Sequence, residues 1–374
     1  MKKLSFILAF LFISNLQAAP VSVLNFKLDG QSYSVQKLTD GLGIIWAMEF
    51  LSPTKIIFNE LKGNIHILDL TTGVTRQMKN PPKVHLATQG GLLDIALHPK
   101  FSENSWVYVT YAKRISGKQT TALARAKLNL AKEEFSEWQD IFLAQPTFNT
   151  AHHYGSRIAF DDKGFLFLTV GDRGNEKLAQ SLATHNGKVL RLNMDGSAPS
   201  DNPFVNQAGA LKEIWSYGHR NPQGLFFDKT TGVLYEQEHG PMGGDEINLI
   251  TKGKNYGWPL ITYGREYSGG PVGDGETSRP GLEQPIKYFL PSIAPSGLLV
   301  YRAKKLKLFQ DRFVSGALAL QHLNVVDVKD CASACEDRLL LPLNERIRDV
   351  IAGPDGLVYA SSDTGRIYRI QEGQ

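Results

Sequence analysis

The sequence predicts an all-β fold, a six-bladed β-propeller of four-stranded antiparallel blades, and two observations carry that prediction. One phrase recurs six times: an apolar run, a turn built from Pro, Asp, Lys or Gly, and a second apolar-aromatic run. Helical periodicity is scarce, the short polar stretch from Ala131 to Trp138 being the best candidate for a helix. Long repeats made of short antiparallel strands suit a propeller, in which radial packing hides most strand edges. A sandwich pair would not need six similar units, and a β-helix repeats at a shorter period.

The copies begin at Ile44, Leu92, Ser156, Pro222, Ser296 and Arg348, roughly 45 to 70 residues apart, the last two being looser or shorter. In each, β-branched and aromatic residues alternate over a few positions, and Gly, Asp and Pro then break the run. The units at Ser156 (SRIAFDDKGFLFLTVGD) and Pro222 (PQGLFFDKTTGVLYEQEHG) read most plainly as strand, turn, strand.

The 374-residue chain has 42% hydrophobic and 21% charged residues, ordinary globular composition. Its formal net charge of +4 comes with no block of like charge, which argues against nucleic-acid partners and polybasic membrane contact. Residues 1–19 have the layout of a secretory signal peptide: Lys2 and Lys3, an apolar run from Leu4 to Ile13, and small residues at Ala18 and Ala19. That run is too short and wrongly flanked for a stable span, an uncleaved anchor being the alternative reading. The expectation is a periplasmic or secreted protein in which residues 20–374 form one propeller domain. Cys331 and Cys335, in CASAC, are then candidates for a small disulfide-closed loop, two free thiols being the alternative.

In a propeller, loops at one end of the central channel share a site, so polar motifs beside the strand pairs gather in space. In HHYGSRIAFDDKGFLFLTVGDRG, a hairpin turning near Lys163 can place His153 alongside Asp172, and if residues 152–160 enter a strand, His152 and His153 point to opposite faces. A carboxylate on a histidine nitrogen fixes the tautomer and raises basicity, as a general base requires, although a purely structural pair fits the spacing equally. In GHRNPQG, Arg220 and Asn221 precede Pro222, which keeps Asn221 extended. Arg220 suits a planar anionic or quinonoid ligand through its fork of donors, or else ties two blades together. EHGPMGGDEIN is a low-bulk loop able to turn carbonyl oxygens inward toward a hard cation, or simply a wide turn. In ERIRD, Arg346 and Arg348 share a strand face and need an anion between them: a ligand carboxylate, Glu345, Asp349, or a surface ion pair.

Together QGGLLDIALHP, HHYGSR with TVGDRG, GHRNPQGL, EHGPMGGDEINLI, GKNYGWP, PSIAPSGL and RIRDVIAGPDG resemble the soluble PQQ-dependent glucose/sorbosone dehydrogenase family, the aldose sugar dehydrogenases. The resemblance runs from about Gly41 to Ile370 with the motifs in order. It implies a six-bladed propeller carrying pyrroloquinoline quinone (PQQ) and calcium over the channel, with an aldose sugar as substrate, oxidised at C1 to a lactone. It implies His153 as the base, Asp172 orienting it, and Gln89, Arg220 and Asn221 holding or polarising the quinone. Gly240 and Pro241 would give backbone oxygens to calcium, and Arg346 and Arg348 would bind the cofactor's carboxylates.

The chain departs from that pattern at Ala319, where family members often carry a lysine that contacts PQQ; Arg302 or Lys304 are the cations expected to substitute. His239 stands where some members have glutamine. The electron acceptor, the preferred sugar and the choice between monomer and homodimer are not legible. Two rival readings are a calcium-dependent propeller hydrolase of lactonase type, which would use inward carboxylates, and a non-catalytic propeller binding protein.

Overall fold

The computed structural model describes residues 20–328 and 335–373; the expected signal peptide and Cys331 lie outside them. Six antiparallel sheets form a ring of blades. Their inner strands are Ile45–Ser52, Leu92–Leu97, Ile158–Phe160, Pro222–Asp228, Pro295–Val300 and Ile347–Ala352, each at or within two residues of a repeat start read from the sequence. Blades one to five have four strands each, ordered from the channel outward as they occur along the chain. Blade six has five: after Ile347–Ala352, Val358–Ser362 and Ile367–Glu372 come two strands from the N-terminus, Gln31–Lys37 and then Val21–Leu28. The two ends of the chain are thereby joined, with Tyr33 paired to Glu372 and Lys37 to Tyr368.

Apolar side chains pack between successive blades, which explains the alternating runs. Blades one and two share a layer containing Ile57, Val109 and Ala124, and blades two and three share one containing Tyr108, Leu168 and Leu190. The turns on the channel's far side owe their shape to aspartates: the Asp161 carboxylate accepts the amides of Lys163 and Phe165, and that of Asp228 the amide of Thr230. The stretch Ala131–Trp138 is not a helix. Its polar start is a turn, and from Glu134 it is the outer strand Glu134–Leu143 of blade two. A register shift between Ser136 and Gln139 breaks the two-residue alternation there, which gives the run its helix-like spacing.

Five of the six inner strands carry a register shift near their first residues: Ile45/Ala47, Leu92/Ile95, Pro222/Gly224, Pro295/Leu298 and Ile347/Asp349. Such bulges re-aim side chains. At the channel axis Arg157 pairs with Asp94 at 3.1 Å and Asp349 at 3.2 Å, donates to the carbonyls of Gln223 and Arg348, and lies over the Trp46 ring. Beyond this knot, at the mouth where each inner strand ends, lies a cavity of about 780 Å³ lined in part by Glu49, His98, Phe160, Phe226 and Arg302.

Burial at the channel wall pushes the Glu49 carboxyl up to about 8, and the nearby Asp94 charge adds to the effect. Because its pKa is raised on folding, the associated stability is complete below pH 4.5 and is lost as pH rises toward 8. Glu49→Gln should therefore flatten the fall in melting temperature of the cofactor-free protein between those limits; a variant with the wild-type slope would show that Glu49 is not the titrating group.

Candidate active site

At the other mouth, where the inner strands begin, the predicted motifs converge. His153 lies in the loop leading into Ile158–Phe160, with Ile158 paired to Leu168 across the hairpin. That register brings Asp172 alongside it: His153 Nδ1 is 2.7 Å from Asp172 Oδ1. Residues 152–157 are loop and not strand, so the two histidines do not point to opposite faces; their rings meet edge to face at 4.9 Å. Close approach of this loop to blade three requires glycine at position 171, where a Cβ would sit 2.2 Å from the His153 carbonyl oxygen. His153 itself has φ of 55°, and Thr88, Ser156 and Arg173 nearby also have positive φ.

Asp172 is 1% exposed and fully partnered. Its Oδ1 also accepts the Gly174 amide at 2.7 Å, and its Oδ2 accepts the Trp258 indole N–H at 2.8 Å. Burial alone would raise this carboxyl, but the His153 bond, the Gly174 amide and the Arg220 charge hold it below its ordinary value. An ionised Asp172 fixes the proton of His153 on Nδ1 and leaves Nε2 with its lone pair. The Gln89 side-chain oxygen accepts the His153 amide at 2.8 Å, bracing the loop from blade two.

Arg220 is buried beside the dyad, its backbone oxygen accepting the Asp172 amide. Its Nη1 donates to Gly240 O at 2.7 Å and His239 O at 3.1 Å, and its guanidinium carbon is 5.3 Å from the Trp258 ring centre. Asn221 Oδ1 accepts the Gly155 amide and the Gln223 side chain, tying blades three and four. The loop from Gly240 to Gly244 is shaped by buried Asp245, which accepts the amides of Gly240, Ile293 and Ala294. His239 Nε2 is 2.7 Å from the Pro295 carbonyl oxygen, and burial together with the charges of Arg220 and Arg348 pushes the imidazole down to about 3.

The anion between Arg346 and Arg348 is Asp363, 2.8 Å from both Nε atoms, and not Glu345 or Asp349. Glu345 binds Thr364, Arg366 and Tyr368, whereas Asp349 binds Arg157. Two guanidiniums against one carboxylate leave a net positive corner. Arg302, expected to stand in for a lysine at position 319, is instead held by Asp228 and Asp311 at the opposite mouth, where the 301–312 connection that also carries Lys304 lies. The cation that reaches the corner of Ala319 is Arg346, whose Nη1 donates to Leu318 O at 2.8 Å.

A family model described as Glucose / Sorbosone dehydrogenase matches residues 42–369. The chain belongs to the glucose/sorbosone dehydrogenase family. It is therefore a sugar-oxidising oxidoreductase. Among its relatives, the aldose sugar dehydrogenase YliI of Escherichia coli (strain K12) is 37% identical over 354 residues, covering 94% of this chain and 92% of that protein. A crystal structure of the apo form of the soluble aldose sugar dehydrogenase from Escherichia coli superposes with a TM-score of 0.86 at 34% identity, covering 91% of this chain and all of that one. The PQQ-bound aldose sugar dehydrogenase of Streptomyces coelicolor superposes at 0.75 with 25% identity, covering 91% and 98% respectively. No helix among the described residues is long and apolar enough to cross a membrane.

Sequence reasoning missed three features in and around this candidate site. Trp258 belongs to a noted motif, but its bond to Asp172 spans 86 residues and leaves no local signal. Asp363 sits in an ordinary-looking turn sequence. Behind Arg220, His219, Glu236 and Glu238 bring potential ligand atoms within 4.8 Å of one another, a buried group able to hold a cation, with Glu236 Oε1 and Asn248 Oδ1 lacking partners. Its only trace in sequence is the alternation of EQE.

Removing the Asp172 carboxylate by substitution with alanine would orphan the His153, Gly174 and Trp258 donors. An unsatisfied buried donor costs about 1–3 kcal/mol, so Asp172→Ala should lower unfolding free energy by at least that amount in urea melts. A stability equal to wild type would mean that these bonds do not form.

Proposed function

We propose that the protein oxidises aldose sugars at C1, giving lactones, with PQQ as oxidant and calcium beside it. The observation that carries this reading is the His153–Asp172 pair, an imidazole with a free Nε2 set next to the buried guanidinium of Arg220. The PQQ-bound relative supports the choice of cofactor.

The residues present suit that cofactor. PQQ carries several carboxylates, and the Arg346–Arg348 corner has more guanidinium than carboxylate to balance it. Gly240 O, which here accepts Arg220 Nη1 and has a second lone pair, and Pro241 O lie on a loop of minimal side-chain bulk and are oxygens of the hard kind that calcium takes. When bound, PQQ supplies an electrophilic quinone carbonyl that receives hydride, with calcium as Lewis acid.

His153 accepts the proton of the anomeric hydroxyl at Nε2 while the hydride leaves C1 with its electron pair, so the sugar becomes the lactone. Asp172 stabilises the resulting imidazolium through Nδ1–H. Gln89 holds the His153 backbone, which fixes the ring's height in the site. Arg220 supplies positive charge where negative charge develops on oxygen, and Asn221 sets the spacing between blades three and four. At the channel axis Asp94 and Asp349 are both bound to Arg157, which disfavours a hydrolase that would use them as ligands.

Purified protein loaded with PQQ and calcium should reduce a dye only when an aldose is present, and chelation before loading should abolish it. General-base catalysis is worth ~10²–10⁴-fold, so His153→Ala should lose that much turnover while still binding PQQ. Dye reduction at the wild-type rate by that variant would refute the assigned base, and lactone cleavage without PQQ would favour a hydrolase.

A further inference from the structure

Lys188 begins the third strand of blade three, Lys188–Leu192, pairing with Val170 and Tyr217. It is 0% exposed, an unusual state for a lysine, and takes no direct part in the proposed chemistry. Its ammonium donates to Leu178 O at 2.9 Å, Ala179 O at 2.9 Å and Asn186 O at 2.6 Å. Three carbonyls match its three N–H groups, so the charge is satisfied without an adjoining carboxylate.

Two of those carbonyls belong to the single turn Glu176–Gln180. The next side chain on that turn, Gln180, exchanges hydrogen bonds with the Asn255 amide at 2.8 and 3.1 Å and donates to Trp258 O at 2.7 Å. Ala179 packs with Trp258 and Val272 in a small apolar cluster. Trp258 in turn donates its indole N–H to Asp172 Oδ2, and Asp172 Oδ1 holds His153.

We propose that Lys188 is a positioning residue for the His153–Asp172 pair, acting through the 176–180 turn, Gln180 and the indole clasp of Trp258. Neutral side chains of similar length cannot replace it: methionine donates nothing, and glutamine has two N–H groups in one plane against the tetrahedral three of an ammonium. Burial pushes the Lys188 ammonium down to about 7 while the Asp172 charge pulls it back up, so the two groups also sense each other through space. The inference rests on the dyad being the catalytic base, but its effect on the dyad's hydrogen bond is independent of which reaction follows.

The test uses Lys188→Met and Gln180→Met in the full-length folded protein, with two readouts. In cofactor-free protein, the proton between His153 Nδ1 and Asp172 should give a downfield proton NMR resonance, assigned by its absence in His153→Ala. In protein loaded with PQQ and calcium, kcat and KM for an aldose are measured separately. Both variants should weaken or broaden the resonance and lose at least ~10-fold in kcat, as loss of alignment does, with KM within about twofold of wild type. An unchanged resonance and kcat in a folded Lys188→Met protein would overturn the proposal. If that variant does not fold, the same unchanged pair of readings in Gln180→Met would overturn it. Should the loaded wild-type protein oxidise no aldose, the functional reading fails, and the resonance alone still decides the role of Lys188.

Discussion

The ion knot at the channel axis is the constraint on which the rest of the structure depends. A buried charge is tolerable only with partners, and Arg157 of blade three finds them on three other blades: Asp94 of blade two, the Gln223 carbonyl of blade four, and Asp349 with the Arg348 carbonyl of blade six. Trp46 of blade one covers the guanidinium face. Most of these partners sit at or beside the bulges of their strands, so the bulges are what turn them inward. Removing one partner would leave a buried charge uncompensated, which makes the knot a device for fixing how blades meet more than a source of net stability.

The site inherits its geometry from that meeting point. Residues that bind Arg157 adjoin residues of the candidate site: Gln223 follows Arg220 and Asn221 closely, and Arg348 itself turns its carbonyl to the knot and its guanidinium to Asp363. Final placement of the His153 ring is a local matter. His153, Ser156 and Arg173 hold positive φ, each costing roughly 1–3 kcal/mol, and persist because buried bonds over-determine them. Arg173 is one such brace, lying 3.5 Å from the Tyr154 ring centre while donating to the carbonyls of His152 and Thr150. Strain and rigidity here fix the position of the His153 ring.

Much of this was legible in the sequence, for physical reasons. Blade starts were visible because an inner strand and its neighbour are both apolar and are joined by a turn built from Pro, Asp, Lys or Gly. The His153–Asp172 contact was legible because a hairpin converts sequence distance from the turn into proximity. What escaped notice was carried by distant pairs or by irregularity. Gln31–Lys37 reads as an ordinary strand, and nothing within it announces pairing with residues near 370. A bulge in Glu134–Leu143 imitated helical spacing. The loop holding His153 abandons strand alternation at the candidate site, so the expected opposition of His152 and His153 failed. Arg346 and Arg348 did require an anion between them, but Asp363 supplies one from the next hairpin, which no adjacent residue indicated.

The central claim is that an imidazole held by Asp172 takes a proton as hydride leaves the sugar. Rapid mixing of PQQ-loaded protein with an aldose deuterated at C1, following absorbance of the bound cofactor, tests it most directly. The account predicts cofactor reduction slowed several-fold by the deuterium and slowed far more in His153→Ala. Reduction at one rate for both isotopes, or at the wild-type rate without the His153 imidazole, would contradict it.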